Sequence, residues 1–399
     1  MMKKVLMLGG SKQQIPAIMK AKEMGYYVIT CDYLEDNPGH KFANEFYNVS
    51  TTDKEAVLKL AKDLKIDGVV CYASDPAAPT AAYVSEKLGF PSNPYESVEI
   101  LSNKELFRKF LKENGFNTPK AMGFSNYDEA ISEIKKFKMP VIVKPVDSSG
   151  SKGVNKLDDV NNLKKCIEEA LKYSRCKRFI IEEYIEKKGY QIAGDGFSYN
   201  GKLVFNTFMN DHFDNKAHNP YVPVAASCPS VLEDEIQDKI KLEIEKVFKL
   251  LNIKTGAYNF DIRLDKNDNI YLMEIGARNG GNYIPQVIEY ATGVDLVTYT
   301  IKAAMGEDCS DLKQKQATGF YAYYAIHSNQ SGIMKEIFID DLVKKNNLLD
   351  LYLNYNIGDE IEAYQGSNNT IGIAILKFKN KEEMLDMINN MNNFIKVII

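Results

Sequence analysis

Tryptophan is absent from the 399 residues, histidine occurs only 4 times, and neither sign of charge prevails. Fifty Lys and Arg face 54 Asp and Glu, for a formal net charge of −4. So small an imbalance gives no long-range field for nucleic acid, and no nucleic-acid partner is expected. Long apolar runs are missing too: none approaches the roughly 18 residues of a membrane helix, so no membrane partner is expected. The opening MMKKVLMLGG has a basic flank, but its apolar run is only Val5 to Leu8 before two glycines. That run is too short for a signal peptide, and none is expected. The 6 cysteines (Cys31, Cys71, Cys166, Cys176, Cys228 and Cys309) form no CxxC pair and no zinc spacing. Reduced thiols in a cytoplasm are the expectation. A hydrophobic share of 45% with 11% aromatics supplies ample core, which removes the disordered and disulfide-framework classes. What remains is a cytoplasmic enzyme of two or three domains, at about 100–200 residues per domain.

Periodicity organises the chain. Lys4–Leu8 reads as a strand ending in Gly9-Gly10-Ser11, followed by a helix over Ile15–Met24 that stops at Gly25. Tyr26–Cys31 is a second strand, Lys54–Leu64 a helix and Gly68–Tyr72 a third strand. Such alternation calls for parallel pairing through crossovers, a doubly wound unit of the first 95 or so residues. Ser102 and Glu105 then read as a capping box for a helix to Asn114, with Leu106, Phe107, Phe110 and Leu111 as its apolar stripe. Asn126–Lys138 reads as a helix. PVIVKP (140–145) and FIIEEYI (179–185) are predicted strands around a Gly/Ser loop and a helix over Val160–Tyr173, a small α+β unit. Further on come strand pairs from Tyr190, a helix over Asp234–Leu251, and a hairpin of NFDIRL and NIYLMEIG turning at Asp268-Asn269. FYAYYAI and TIGIAILKF are strands of the last part, closed by a helix from Lys381.

Chemistry concentrates at a few places. Gly9-Gly10-Ser11 fails two glycine positions of GxGxxG, although Asp32 ends the second strand where a ribose-binding acid would sit. A plain βα turn and an anion site on its amides remain open there. The loop Ser148-Ser149-Gly150-Ser151-Lys152-Gly153 lets backbone N–H groups approach oxyanions, with hydroxyls and a lysine as further donors. It lacks the Walker spacing. Lys144 stands in an apolar strand, where an unpaired ammonium is costly; an edge-strand lysine is the other reading. Lys104 lies in the first turn of its helix against the macrodipole. Asp261 and Glu274 fall on opposite arms of the hairpin, where antiparallel pairing brings two carboxylates to one face. They repel unless a cation intervenes, and magnesium suits hard oxygens beside phosphate. Arg278, Asn279, Gly280 and Gly281 follow.

Lys104, Lys144-Pro145, the Gly/Ser loop, Glu182-Glu183-Tyr184-Ile185, Asp261 and Glu274-x-x-x-Arg278, in this order, resemble the ATP-grasp superfamily. Within it the chain is similar to the carboxylate–amine/thiol ligase branch of D-alanine–D-alanine ligase, biotin carboxylase and the carbamoyl phosphate synthase large-subunit domains. The resemblance implies an α/β and α+β fold: a Rossmann-like pre-ATP-grasp domain, 1–95, a connecting helical segment, 96–122, and a small lid subdomain, 123–186. A large subdomain, 187–310, and a C-terminal β-rich portion, 311–399, complete it. It further implies ATP with Mg2+, two ions in expectation and Mn2+ as a substitute. By the same resemblance Lys104, Lys144, Ser148, Ser149, Gly150, Ser151 and Gly153 contact phosphates, and Glu182, Glu183, Tyr184 and Ile185 meet the adenine. Asp261 and Glu274 hold metal. The family's metal asparagine is replaced by Gly276, leaving Asn279 as candidate third ligand, and its ribose-binding glutamate by Gly189, leaving Gln191 or Asp195. Arg278 and Lys152 stabilise the reacting charges, and Gly10, Ser11, Asp75, His212, Arg278 and Gly280 face the substrate, with His218 and Tyr221 nearby.

The activity so implied activates a carboxylate as an acyl phosphate and joins it to an amine, releasing ADP and phosphate. Both substrates are small molecules, and a homodimer is allowed. An ATP-dependent carboxylase or phosphotransferase on the same fold, and an NAD-dependent dehydrogenase, stand as alternatives.

Overall fold

A computed structural model describes residues 2–399. Its first sheet is parallel, with strands Glu45–Asn48, Tyr27–Asp32, Lys4–Leu8 and Gly68–Cys71 side by side. Crossover helices Ile15–Glu23 and Lys54–Leu64 join them, as the alternation predicts. Two elements escaped the periodicity: the short strand Glu45–Asn48, half exposed, and the helix Ala78–Leu88, whose alanine-rich face carries no amphipathic contrast.

A further helix, Tyr95–Ser102, precedes the one expected at 102, and this moves the cap by one residue. Asn103, not Ser102, caps the helix Lys104–Glu113, accepting from the N–H groups of Glu105 and Leu106. The buried face of that helix is Phe107, Arg108 and Leu111, while Leu106 points to solvent.

The small unit has the sheet order Ala121–Phe124, Phe179–Glu183, Val141–Pro145, Asn155–Leu157. Its helix begins at Leu163 after a single turn at Val160–Asn162, and buries Leu163, Cys166, Ile167 and Ala170. The helix expected over 126–138 is shorter, Tyr127–Glu133, and tightens into a 3-10 turn.

The largest sheet is antiparallel and eight-stranded. Its order is Ile270–Gly276, Gly256–Leu264, Gln191–Tyr199, Lys202–Phe213, Pro223–Cys228, Phe320–Ile326, Gly372–Phe378 and Leu348–Leu353. Strands from either side of residue 310 are hydrogen-bonded within it, Ala225 opposite Tyr324 among them. The helix Asp234–Leu250 covers one face with Ile240, Ile244, Val247 and Phe248, one helical stripe that meets Ile192, Phe208 and Phe260. Tyr283, Ile284, Val287 and Ile288 cover another part with Phe197, Met209 and Tyr323. The helix from Lys381 does not end the chain: a strand, Ile395–Ile398, follows and pairs with Glu336–Ile339. Among the described residues no helix is long and apolar enough to cross a membrane.

Candidate functional site

Lys144 lies in an interior strand, between Phe179–Glu183 and Asn155–Leu157, so the edge-strand explanation fails. Its ammonium is buried, 2.5 Å from Glu182 Oε1, while Arg108 Nε donates to Glu182 Oε2 at 2.9 Å. Burial alone would raise the Glu182 carboxyl, but Arg108 and Lys144 outweigh it and hold it at about 2. The same burial, with Arg108 and Lys104 close by and Glu182 opposing, brings Lys144 down to about 8. Two cations thus share one carboxylate, and both Nη atoms of Arg108 are buried without a partner. A surplus of buried positive charge is costly until an anion arrives. Arg108 was not singled out in the sequence: as one charge among several in an amphipathic helix it carries no local signal.

Lys104 Nζ donates to Ser148 O at 2.8 Å and lies 2.9 Å from Glu274 Oε2. Asp261 and Glu274 are directly paired across the hairpin, with a bulge just after Asp261. Asp261 Oδ1 is buried without a hydrogen-bond partner. Burial, and secondarily the Glu274 charge against the relief of Arg263, raises the Asp261 carboxyl to about 6. Beside it Asp211, also missed in the sequence, accepts from Gln191 Nε2 at 3.3 Å. Burial and then the charge of Asp261 push Asp211 up to about 8. Arg263 donates from Nε to Gln191 Oε1 at 2.9 Å, so the amide of Gln191 is spanned by protein on both sides.

Ser148, Ser149, Gly150, Ser151 and Lys152 line the same cleft of about 680 Å³ as Lys104, Lys144, Glu182, Gln191, Asp261, Arg263 and Glu274. Gly150 and Ser151 both adopt positive φ, +64° and +56°, a conformation that turns successive N–H groups to one side. Burial lowers the Lys152 ammonium. Gly153 instead serves packing: a Cβ there would lie 3.0 Å from Tyr173 and 3.1 Å from Pro145. Glu183, Tyr184 and Ile185 do not line the cleft. Glu183 accepts from Lys138 N at 2.9 Å, Tyr184 N donates to Pro140 O at 3.0 Å, and Ile185 O accepts from Arg263 at 3.4 Å. The carboxylate of Glu182 is a counter-ion to two cations and is not free for a base edge.

At the junction with the parallel sheet, Arg278 grips Asp75 with Nε at 2.7 Å and Nη2 at 2.5 Å, and Nη1 donates to Asn279 O at 2.9 Å. Asn279 is fully buried and is not among the residues that line the cleft. Its amide oxygen, Oδ1, is engaged by Thr300 at 2.7 Å. Gly280 N donates to buried Asp195 at 2.8 Å, and Asp195 also accepts from Asn259. Burial carries that carboxyl to about 6. Neither Gly280 nor Asp195 therefore has its polar group free for substrate or ribose. Gly10 N is likewise taken, donating to Asp32 Oδ2 at 3.0 Å, and Asp32 accepts from Leu34 N and Asn37 as well. Asp32 is thus no free ribose acid, and the turn is held by its own side chains. Ser11 bonds Gln14, while Gln13 Oε1 accepts from Asn282 N at 2.8 Å and ties the turn to the segment after Arg278. His212 faces away from the cleft, between Asn389 and Ser227 at 2.9 Å each, and burial pushes its imidazole down to about 4. Alternation along the strand turns Asp211 the other way, behind the cleft residue Gln191, from which it accepts. A second recess of about 580 Å³, walled by Arg278, alanines, Ser92 and Asn93, holds neither lysine nor carboxylate, and Arg278 lines this recess rather than the first cleft. Both lysines of the sequence reading, Lys104 and Lys144, and the Asp261–Glu274 pair gather in the first cleft.

Residues 103–312, just over half of the chain, match the family described as Carbamoyl-phosphate synthase L chain, ATP binding domain. The carbamoyl phosphate synthase large chain of Clostridium acetobutylicum is 24% identical over 308 residues, 75% of this chain but 28% of that protein. The chain thus spans about a quarter of the length of that relative. Among solved structures, an L-amino acid ligase from Bacillus licheniformis superposes with a TM-score of 0.81 at 21% identity, covering 99% of this chain and 98% of that one. Phosphoribosylglycinamide synthetase from Anaerococcus prevotii follows with 0.76 at 24% identity, over 100% and 99%. These likenesses are of fold.

Proposed function

Because the chain belongs to the family of the carbamoyl-phosphate synthase L chain, ATP binding domain, within the ATP-grasp superfamily, we propose that it is an ADP-forming ligase joining a carboxylate to an amine. One observation carries the reading: a buried cation surplus, Arg108 and Lys144 on Glu182, shares a cleft with the facing carboxylates Asp261 and Glu274. A polyphosphate with its cation satisfies both at once, whereas either ligand alone leaves like charges uncompensated.

The residues fit a divalent cation of the magnesium kind. Asp261 Oδ1 is orphaned and buried, and Glu274 stands opposite it. Among the described residues no third His, Cys, Asp or Glu joins them, which leaves the remaining positions to phosphate oxygens and water. Asp261 and Glu274 would hold the ion, which when bound supplies positive charge to the transferring phosphoryl group.

The chain's own work is electrostatic and positional. Lys104, now bound to Glu274 and Ser148 O, and Lys144 take phosphate oxygens; the amides of 149–151 and Lys152 cover them. An oxygen of the substrate carboxylate attacks the γ-phosphorus as its bond to ADP breaks. The amine then attacks the acyl carbon, and phosphate leaves with its bonding pair. Arg278, fixed by Asp75, offers charge to the acyl oxygen. Closure of 148–153 excludes water, which otherwise hydrolyses the acyl phosphate. Because a protein of the same fold is named an L-amino acid ligase, amino acids form the first substrate pool.

Phosphate release is measured with MgATP and pooled carboxylates against pooled amines. Release that needs one member of each pool is expected. ADP formation with carboxylate alone overturns the ligase reading in favour of a phosphotransferase, and a requirement for bicarbonate does so in favour of a carboxylase.

A further inference from the structure

The Gly/Ser loop does not stand alone over its cleft. It is held from outside by two connections that lead into strands of the large sheet, and one side chain joins all three. Asn219 Nδ2 donates to Ser151 O at 3.2 Å and to Gln365 O at 3.0 Å. Its Oδ1 accepts from Tyr221 N at 3.0 Å, and Ser151 Oγ in turn donates to Tyr221 O at 2.9 Å. The turn after Gln365 presses on the same loop. A Cβ on Gly150 would fall 2.3 Å from Ser367 Oγ, and one on Gly366 would fall 3.2 Å from Lys152 Cγ.

Both outer segments are anchored by a small core of their own. Ala217, Val222, Val224 and Tyr364 bury one another, and Tyr364 OH donates to Pro223 O at 3.1 Å. Asp214 accepts from Asn329 at 2.9 Å, and His327 rests on the Tyr364 ring at 4.7 Å between centroids. A loop held only by its own turn would need no such base. Its Ser151, with φ +56°, sits in a conformation that a non-glycine residue leaves unless something holds it.

We propose that Asn219 is a positioning residue: it clasps residues 148–152 to the turn at 365–367 and so sets how long the loop stays closed. The kinetic part rests on the reading of that loop as the phosphate cover; the clasp itself does not. The long C-terminal stretch then has a part in catalysis without touching substrate.

Asn219→Asp keeps the size and the acceptor toward Tyr221 N and loses both donations. Tyr364→Phe, remote from the cleft, loosens the base and keeps the ring. Amide exchange of residues 148–153 is measured by mass spectrometry without nucleotide, with the strand Phe320–Ile326 as internal control. An increase of about fivefold in Asn219→Asp, smaller in Tyr364→Phe, is expected from the lost bond to Ser151 O, the one of the two that reaches the loop itself. Unchanged loop exchange in a folded Asn219→Asp overturns the clasp, whether or not the protein turns over ATP. In turnover assays Asn219→Asp is expected to raise KM for ATP and the ratio of ADP to ligated product. More exchange with an unaltered ratio and KM overturns the positioning role. A wild type that binds no ATP while the exchange result holds leaves the clasp standing and fails the nucleotide reading instead.

Discussion

Asp75 and Arg278, 203 residues apart, meet in a two-pronged ion pair that fastens the parallel sheet to the end of the hairpin bearing Asp261 and Glu274. Burial would raise the Asp75 carboxyl, but the Arg278 guanidinium, bonded to it, holds it below its ordinary value. Removing one partner of such a pair leaves a buried charge uncompensated, so Asp75→Ala should cost about 3–5 kcal/mol in urea unfolding. Arg278→Ala should cost a similar amount and also depress turnover. Because the folded Asp75 is the stronger acid, the stability it lends is full above the ordinary carboxylate range and fades as pH falls through it. A flat acid profile in wild type would count against the pair.

Lys144 and Glu182 should separate function from folding. Lys144→Met leaves Glu182 balanced by Arg108, so the protein should fold while ATP turnover falls on the order of 100-fold or more. Glu182→Gln strips the counter-ion from two buried cations and should lower stability by about 3–5 kcal/mol. With a folded value of about 2 against an ordinary 4.5, the contribution of Glu182 is complete above 4.5 and is lost as pH drops toward 2. Lys144→Met should shrink that acid-sensitive portion. Equal turnover in Lys144→Met and wild type would remove Lys144 from the site.

Why these residues and not others were legible is a matter of locality. Lys144 in a run of valines, or Asp261 and Glu274 amid apolar strand residues, break a short pattern, and a break is visible in a window of ten. Arg108 does not: its reason is Glu182, 74 positions on, and nothing near 108 reports it. Glu182 entered through the resemblance alone, and its bonds to Arg108 and Lys144 join segments far apart in the chain. The cap fell at Asn103 because the helix ending at Ser102 is too short to announce itself. His212 and Asp211 show the phase problem of a strand. Alternation says that neighbours face opposite sides, but only the packing of the helix bearing Asn389 says which side is the cleft. For the same reason the sheet runs across residue 310: strand pairing at that distance leaves no mark in composition.

Asp261 should make stability depend on the divalent cation. Its carboxyl, raised to about 6 from 3.8, favours the protonated form in the folded chain, so its cost to folding grows as pH rises from 3.8 to 6. Millimolar Mg2+ at pH 7.5 with ADP should raise the melting temperature by several degrees, on the order of 2–3 kcal/mol at saturating ligand. Asp261→Asn should be at least as stable as wild type without the ion and gain little from it. A full Mg2+ response in Asp261→Asn would exclude the carboxylate as ligand.

His212 provides the converse test, a residue that the sequence assigned to substrate and the fold uses as a strut. Between Asn389 and Ser227, with its imidazole down at about 4, it is uncharged at neutral pH and bridges the sheet to the helix Lys381–Asn389. Since the unfolded chain takes up the proton first, near 6.5, stability should decline as pH falls from 6.5 toward 4. His212→Ala leaves a serine and an asparagine without their partner and should cost about 1–3 kcal/mol. It should also flatten that limb of the profile, while kcat and KM at a temperature where the variant is folded stay within about twofold, since a loss of transition-state contact would exceed that. Asp211→Ala, one residue away, should do the opposite: a smaller loss of stability, because the acid is buried at a cost with its carboxyl raised to about 8, and a larger loss of turnover, because it stands beside Asp261. If His212→Ala proved the kinetically damaging variant and Asp211→Ala the silent one, the strand would present its other face to the substrate.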